Sequence, residues 1–259
     1  MMKELEGKVA IVTGAGRLRG IGRATAVALS EMGANVVITG TGRDPDTFPP
    51  DEKAVGWKDI ESVAQQIRQA GARALPLVAD ISKSDHVQRV VDSAISEFGR
   101  IDILINNAAF MRGPDRVAVV DMDEAIFRRV LEIKVVGSFL MSKTVLPILI
   151  KQGQGGRIVN LSSIAGKVGT ARASAYVASN AAIQGFTQSL AKEVGPNMIT
   201  VNAVCPGLTD TSRLDDLGRE ELWEKTLKER VPLQRAASDH EIAGLIAFLC
   251  SPRGEYING

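Results

Sequence analysis

The sequence predicts an α/β fold, a single doubly wound parallel sheet with helices on both faces. Six short β-branched runs recur along the chain, longer segments of helical periodicity separate them, and a glycine-rich turn joins the first run to the first helix. Strands that are apolar on both sides belong inside a parallel sheet covered on both faces. The right-handed crossover between parallel strands then winds successive helices onto the two faces. With 259 residues, 45% of them hydrophobic, the chain is long enough for one such domain with a sizeable core.

Taken in order, "KVAIVTG" (8–14) is a Val/Ile run ending in glycine, and a helix over 22–32 follows the glycine turn. "NVVITG" (35–40) is the second strand. The polar stretch "TGRDPDTFPPDEKAVGW" (41–57), with three prolines, reads as a surface insertion beside the expected ligand edge. A helix over 57–70 leads to "RALPLVAD" (73–80), and one over 84–98 leads to "IDILINNA" (101–108). The two longest helical stretches, 123–152 and 174–194, flank "GRIVNLSS" (156–163), and "ITVNAVCPG" (199–207) is the sixth strand. Segment 209–233 is highly charged, with Leu214, Leu217, Leu222, Trp223 and Leu227 at roughly helical spacing; a lid over a pocket is expected there, with a fixed surface helix as the alternative. The sequence closes on "EYING" just after a helix, and a final strand is expected beyond residue 259.

Composition narrows the partners. Thirty-one basic and 30 acidic residues give a net charge of +1, with no electrostatic footprint for nucleic acid or an anionic membrane, so a small-molecule partner is expected. No apolar run approaches about 18 residues, and the N-terminus has no leader-like apolar core. Cys205 and Cys250 form neither a disulfide framework nor a metal-ligand spacing, which suits a reducing, cytoplasmic compartment. His86 and His240 have no metal-ligand partner at useful spacing, and no metal is expected.

"TGAGRLRGIG" (13–22) stands between a strand and a helix, the context that makes a glycine pattern a dinucleotide fingerprint. Gly14 permits the tight turn, Gly20 the approach of backbone to phosphate, and Gly22 close helix packing; Gly16 and Ile21 share the turn. The helix N-terminus offers amides to a pyrophosphate. About 20 residues on, where NAD binders carry an acid for the adenosine ribose, Gly40 and Thr41 stand instead, with Arg17, Arg19 and Arg43 close by. That favours a 2′-phosphate and hence NADP. Asp44 follows immediately, so NAD is the alternative.

As a set, these motifs resemble the short-chain dehydrogenase/reductase family across essentially the whole chain. "TGAGRLRGIG" is similar to its glycine motif with two extra residues, "NNAA" (106–109) to its Asn-Asn-Ala-Gly, "GRIVNLSS" to its catalytic-serine strand, "YVASN" (176–180) to its Tyr-x-x-x-Lys, and "VCPG" (204–207) to its nicotinamide loop. Ser163 precedes Tyr176 by 13 residues, the family's spacing. The resemblance implies a Rossmann-type fold, hydride transfer between a nicotinamide and a small carbonyl or secondary alcohol, and a homotetramer or homodimer built on the two long helices. It assigns Tyr176 as general acid or base and Ser163 as the hydroxyl that polarises the carbonyl. It also places Asp80 and Ile81 at the adenine, Asn106 as a brace for the central strand, Asn107 beside the cofactor, and Pro206, Gly207 and Thr209 at the nicotinamide amide.

Two departures stand out. Asn180 occupies the position of the family's lysine, whose charge favours the phenolate; a phenol with a reference pKa of ~10 is a poor base near neutrality. In "EIKVVGSF" (132–139), Lys134 occupies the position of the family's catalytic asparagine. The two residue types are exchanged, and the expectation is that Lys134 returns the cation to the tyrosine from the neighbouring helix while Asn180 binds the nicotinamide ribose. Arg112, Lys167 and Arg172 fall in loops around the expected substrate pocket, where solvated charge is the simpler account and an acidic substrate the other. Two rival readings remain open: a nicotinamide-binding protein without turnover, and a non-redox lyase or dehydratase using the same Ser-Tyr pair.

Overall fold

The computed structural model describes residues 3–217 and 221–259. Its centre is a six-stranded parallel sheet built from β1 (Val9–Val12), β2 (Asn35–Gly40), β3 (Ala74–Val78), β4 (Ile103–Asn106), β5 (Gly156–Leu161) and β6 (Ile199–Val204), in the order β3-β2-β1-β4-β5-β6. Register is fixed by paired apolar residues such as Val12 opposite Ile38 on one side and Ile105 on the other. Because side chains alternate along a strand, Ala10, Val12, Val36, Ile38, Ile103 and Ile105 enter one core layer, and Ile11, Val37, Leu104, Ile158 and Val201 enter the other. Burial of each large aliphatic contributes about 1.5–3 kcal/mol.

The first layer is covered by α1 (Ile21–Glu31), α3 (Ile60–Gln69) and α9 (Asp239–Cys250), and the second by α4 (Ser84–Phe98), α6 (Gly137–Gln152) and α7 (Ser174–Val194). The strand order reverses between β1 and β4, which opens a crevice at the carboxyl ends of the strands. Among the described residues the sheet ends at β6.

The long helix expected over 123–152 is continuous but not uniform. α5 (Glu124–Leu131) runs through a π-helical stretch, Glu132–Val136, into α6. The helix from Glu124 to Gln152 is long enough to cross a bilayer and contains an 18-residue stretch apolar enough to do so (mean hydropathy 1.7), although sequence inspection finds no unbroken apolar run of that length. Its Met141, Val145 and Leu149 lie in the core beneath the sheet, which accounts for the apolar character.

The insertion after β2 differs from the surface loop expected. It contains a short helix, α2 (Pro50–Ala54), started by the Pro-Pro pair, and it buries Phe48, Glu52 and Trp57. The Trp57 indole donates to the Gly16 carbonyl at 2.7 Å, so the insertion packs over the glycine turn.

Past β6, the two-residue strands β7 (Thr209–Asp210) and β8 (Ala237–Ser238) pair in parallel, with α8 (Glu221–Arg230) between them. The stripe expected to form a lid is partly packed, with Trp223 and Leu227 buried. The Leu217 and Leu222 side chains lie outside the described residues.

Candidate active site

The glycine turn between β1 and α1 is a cradle with no room for side chains. Gly14 has φ +68°, and a Cβ there would lie 2.7 Å from the Ala108 Cα. Asn107 braces the same turn, its amide donating to the carbonyls of Thr13 and Gly14 at 2.8 and 2.9 Å, while the Thr13 hydroxyl accepts from the amides of Asn107 and Ala108. Asn106 is committed elsewhere: its Nδ2 reaches Asn160 at 2.8 Å, and Asn160 donates to Thr187 on α7. Beyond the turn, α1 begins at Ile21 with no side-chain cap, and its first intrahelical bond runs from Ala24 to Gly20. The opening amides of such a helix suit a phosphate. Two other amides of the turn are engaged by carboxylates, Leu18 by Glu52 and Gly20 by Asp239.

At the adenosine edge the three arginines separate into two kinds. Arg43 is locked, its guanidinium bonded to Glu52 at 2.8 Å and to Asp59 at 3.0 Å, with a further bond to the Gly16 carbonyl. Asp59, at φ +50°, presses its carboxylate against Gly16 where any Cβ would sit. Arg19 bonds Asp51 at 2.8 Å, Asp210 at 3.2 Å and Asp215 at 2.5 Å. Arg17 makes no hydrogen bond or ion pair with the described residues; burial, then the neighbouring Arg43, pulls its pKa below the usual value. Thr41 follows Gly40 at the strand end, and Asp80 and Ile81 follow β3. Against the cost of burial, hydrogen bonds from Ser82 and Arg129 hold Asp80 at about 2, so this carboxylate already has partners. Ile81 is buried under Gly137.

On the other side of the crevice, Ser163 ends the segment after β5, and its turn packs on α7, with Gln184 donating to the Ser162 hydroxyl and the Ser163 carbonyl. Ile164 donates to the Pro206 carbonyl, and the Thr209 hydroxyl to that of Gly207, which fixes the loop after β6 beside that turn. Tyr176 lies in the first turns of α7 with its ring flanked by two guanidiniums, Arg116 at 4.2 Å and Arg213 at 5.3 Å from the centroid. Asn180 is buried, and its Nδ2 donates to the Tyr176 carbonyl at 2.8 Å; its Oδ1 is buried with no partner among the described residues. A carbonyl can only accept, which fixes the amide's orientation and leaves an acceptor for a hydroxyl.

Lys134 sits in the π-helical stretch, which packs on α7, and it is only 5% exposed. Burial, with Arg213 nearby, pushes its ammonium down to about 7. Among the described residues it makes no hydrogen bond to Tyr176 or Asn180, and it meets the tyrosine's surroundings through Arg213. A π-helical turn is a frequent mark of a functional site.

The comparisons with known proteins agree with this layout. The sequence profile of a family described as enoyl-(acyl carrier protein) reductase matches residues 14–259. The chain is 36% identical over 259 residues to the 3-oxoacyl-[acyl-carrier-protein] reductase FabG of Aquifex aeolicus, covering 99% of this chain and 95% of that protein. It is 32% identical over 255 residues to the 2-dehydro-3-deoxy-D-gluconate 5-dehydrogenase of Dickeya dadantii, covering 98% and 92%. The chain belongs to the short-chain dehydrogenase/reductase family. Its solved neighbours include levodione reductase (TM-score 0.86, 30% identity, covering 98% of this chain and 94% of that one) and a short-chain type dehydrogenase/reductase from Mycobacterium marinum (TM-score 0.85, 30% identity, 99% and 93%). It is an NAD(P)-dependent oxidoreductase of that family. For a short-chain dehydrogenase/reductase nucleotide, the glycine cradle, the open start of α1 and the orphaned Asn180 acceptor fit.

Sequence reasoning missed Arg116 and Arg213, the ring's two neighbours, and the buried carboxylates Glu52 and Asp59. Their only signal was a charged residue inside an irregular loop, "GPDRV" and "TDTSRL" for the arginines and the prolined insertion for the acids.

Proposed function

We propose that this enzyme transfers a hydride between NADP(H) and a small carbonyl or secondary-alcohol substrate, with Tyr176 as general acid and base. The observation that carries the reading is the placement of the Ser163 turn against the helix bearing Tyr176, facing the glycine cradle across the crevice of the sheet. Gly14, Gly16, Gly20, Ile21 and Gly22 would hold the diphosphate, Arg17 the 2′-phosphate, Asn180 the nicotinamide ribose, and Pro206, Gly207 and Thr209 the carboxamide. When bound, the nicotinamide supplies the hydride to the carbonyl carbon in reduction and accepts it in oxidation. The Ser163 hydroxyl donates to the carbonyl oxygen and steadies the charge that develops there. Tyr176 gives its phenolic proton to that oxygen in reduction and takes it back in oxidation. Lys134 is the relocated cation, held in the stretch packed on α7 rather than four residues beyond the tyrosine. The substrate class is supported by relatives named for 3-oxoacyl and sugar-acid chemistry.

The reading of NAD as cofactor has its own support. Arg19 and Arg43 are held by five carboxylates, Asp51, Glu52, Asp59, Asp210 and Asp215, an acidic surplus that disfavours a phosphate. In this proposal Arg17 alone selects NADP. The chain forms a cytoplasmic homotetramer or homodimer, an assembly supported by Val136, Phe139 and Ile150 standing exposed on the long helix.

The test is cofactor oxidation by purified protein against a panel of ketones, keto acids and quinones, with Tyr176→Phe and Lys134→Ala alongside. Turnover lost in Tyr176→Phe, with an activity profile displaced to higher pH in Lys134→Ala, is expected. Tight cofactor binding without turnover of any carbonyl would favour a binding protein.

A further inference from the structure

Three cations lie close to one another beside the Tyr176 ring. Arg116, from the segment between β4 and α5, and Arg213, from the segment after β7, each lie over the Tyr176 ring, and Lys134 is buried beside Arg213. Among the described residues the fixed counter-charge is small. Asp115 is fully buried and bonded to Arg116 at 2.5 Å, with its other oxygen unpartnered among the described residues. Arg213 donates to the Phe110 carbonyl and has no carboxylate partner among the described residues.

Desolvated cations with too few anions are unfavourable unless a ligand completes the balance. A guanidinium presents a planar fork suited to two carboxylate oxygens. The ring these two forks cover is the one that would exchange a proton with the substrate. A group held between them is therefore within one small molecule's length of the reacting carbonyl.

We propose, on the reading of Tyr176 as the acid and base, that the substrate is anionic, an oxo or hydroxy carboxylic acid whose carboxylate is clamped by Arg116 and Arg213. The clamp sets specificity through binding. The cofactor's own phosphates are the other source of negative charge in this crevice, and the test separates the two.

Matched pairs are compared: pyruvate, acetoacetate and 4-oxopentanoate, each against its methyl ester, in wild type, Arg116→Gln and Arg213→Gln. The expected result is a kcat/KM for at least one acid that exceeds its ester's by about 10- to 100-fold, the scale of one or two charge-assisted hydrogen bonds. Either substitution should collapse that ratio toward one, mainly through KM. In parallel, calorimetric titration of the same acids into protein saturated with oxidised cofactor should show binding that the substitutions remove. An unchanged ratio in both variants, or esters that serve as well as the acids, would overturn the clamp. Weakening of NADPH binding by the factor lost for the acids would assign the arginines to the cofactor and overturn it as well. If nothing turns over, the acid-base reading fails, and the calorimetry still decides: carboxylate binding abolished by the substitutions supports the clamp, and no binding refutes it.

Discussion

Replacing Lys134 with methionine should stabilise the protein near neutrality, and the gain should shrink as pH rises. The side chain is buried, and its ammonium falls from an ordinary 10.5 to about 7, first through burial and then through Arg213, the charged group near it from the segment after β7, which itself lies over the Tyr176 ring. The folded pKa lies below the unfolded one. Between the two values the unfolded chain holds the proton and the folded chain does not, so wild-type stability climbs with pH across that window. The full cost, about 4–5 kcal/mol at ~1.36 kcal/mol per unit, is present below pH 7, and about 3 kcal/mol of it disappears between pH 7 and 9.5. Methionine keeps most of the volume and carries no charge, so other titrating groups cancel in the difference between the two proteins. Urea unfolding followed by the fluorescence of Trp57 and Trp223 at pH 6, 7.5 and 9 measures it. Parallel stability curves, with the same difference at every pH, would refute the buried-ammonium argument.

Two further outcomes test the cofactor site. Arg17→Ala should narrow the preference for NADPH over NADH, because Arg17 is the guanidinium there that makes no ion pair among the described residues, whereas Arg43→Ala leaves Glu52 and Asp59 buried without their partner and should lower the unfolding temperature as well. Equal affinities of the unmodified protein for the two cofactors, by fluorescence titration, would defeat the 2′-phosphate assignment. Gly14→Ala should weaken cofactor binding at least tenfold, about 1.4 kcal/mol, since its Cβ would meet the Ala108 backbone at 2.7 Å in a left-handed turn; unchanged affinity would show that the turn relaxes.

The sheet was legible because its signal is local. Each strand is a run of β-branched residues, and α4 and α7 begin and end where their periodicity begins and ends. The insertion after β2 was not legible in the same way. Its polar composition describes the residues facing water, while Phe48, Glu52 and Trp57 fold inward against a glycine turn some thirty to forty positions away. No spacing rule predicts that Asp59 returns to the end of β2, where a carboxylate had been missed nearer the glycines.

The proposed exchange between positions 134 and 180 draws differently on sequence and geometry. Residue types alone suggest that a lysine was moved intact from one helix to the next. The fold adds that the new position is dry, so the charge moved there is weakened by burial, and that two guanidiniums which burial cannot neutralise at ordinary pH stand over the tyrosine ring. If Lys134 alone supplied the cation, activity in Lys134→Ala should be recovered by Asn180→Lys, which restores a charge on the tyrosine's own helix. If Arg116 and Arg213 share the task, Lys134→Ala should retain part of its activity and Asn180→Lys should add little to it. Measured together across pH, the single and double variants separate a relocated residue from a redistributed charge.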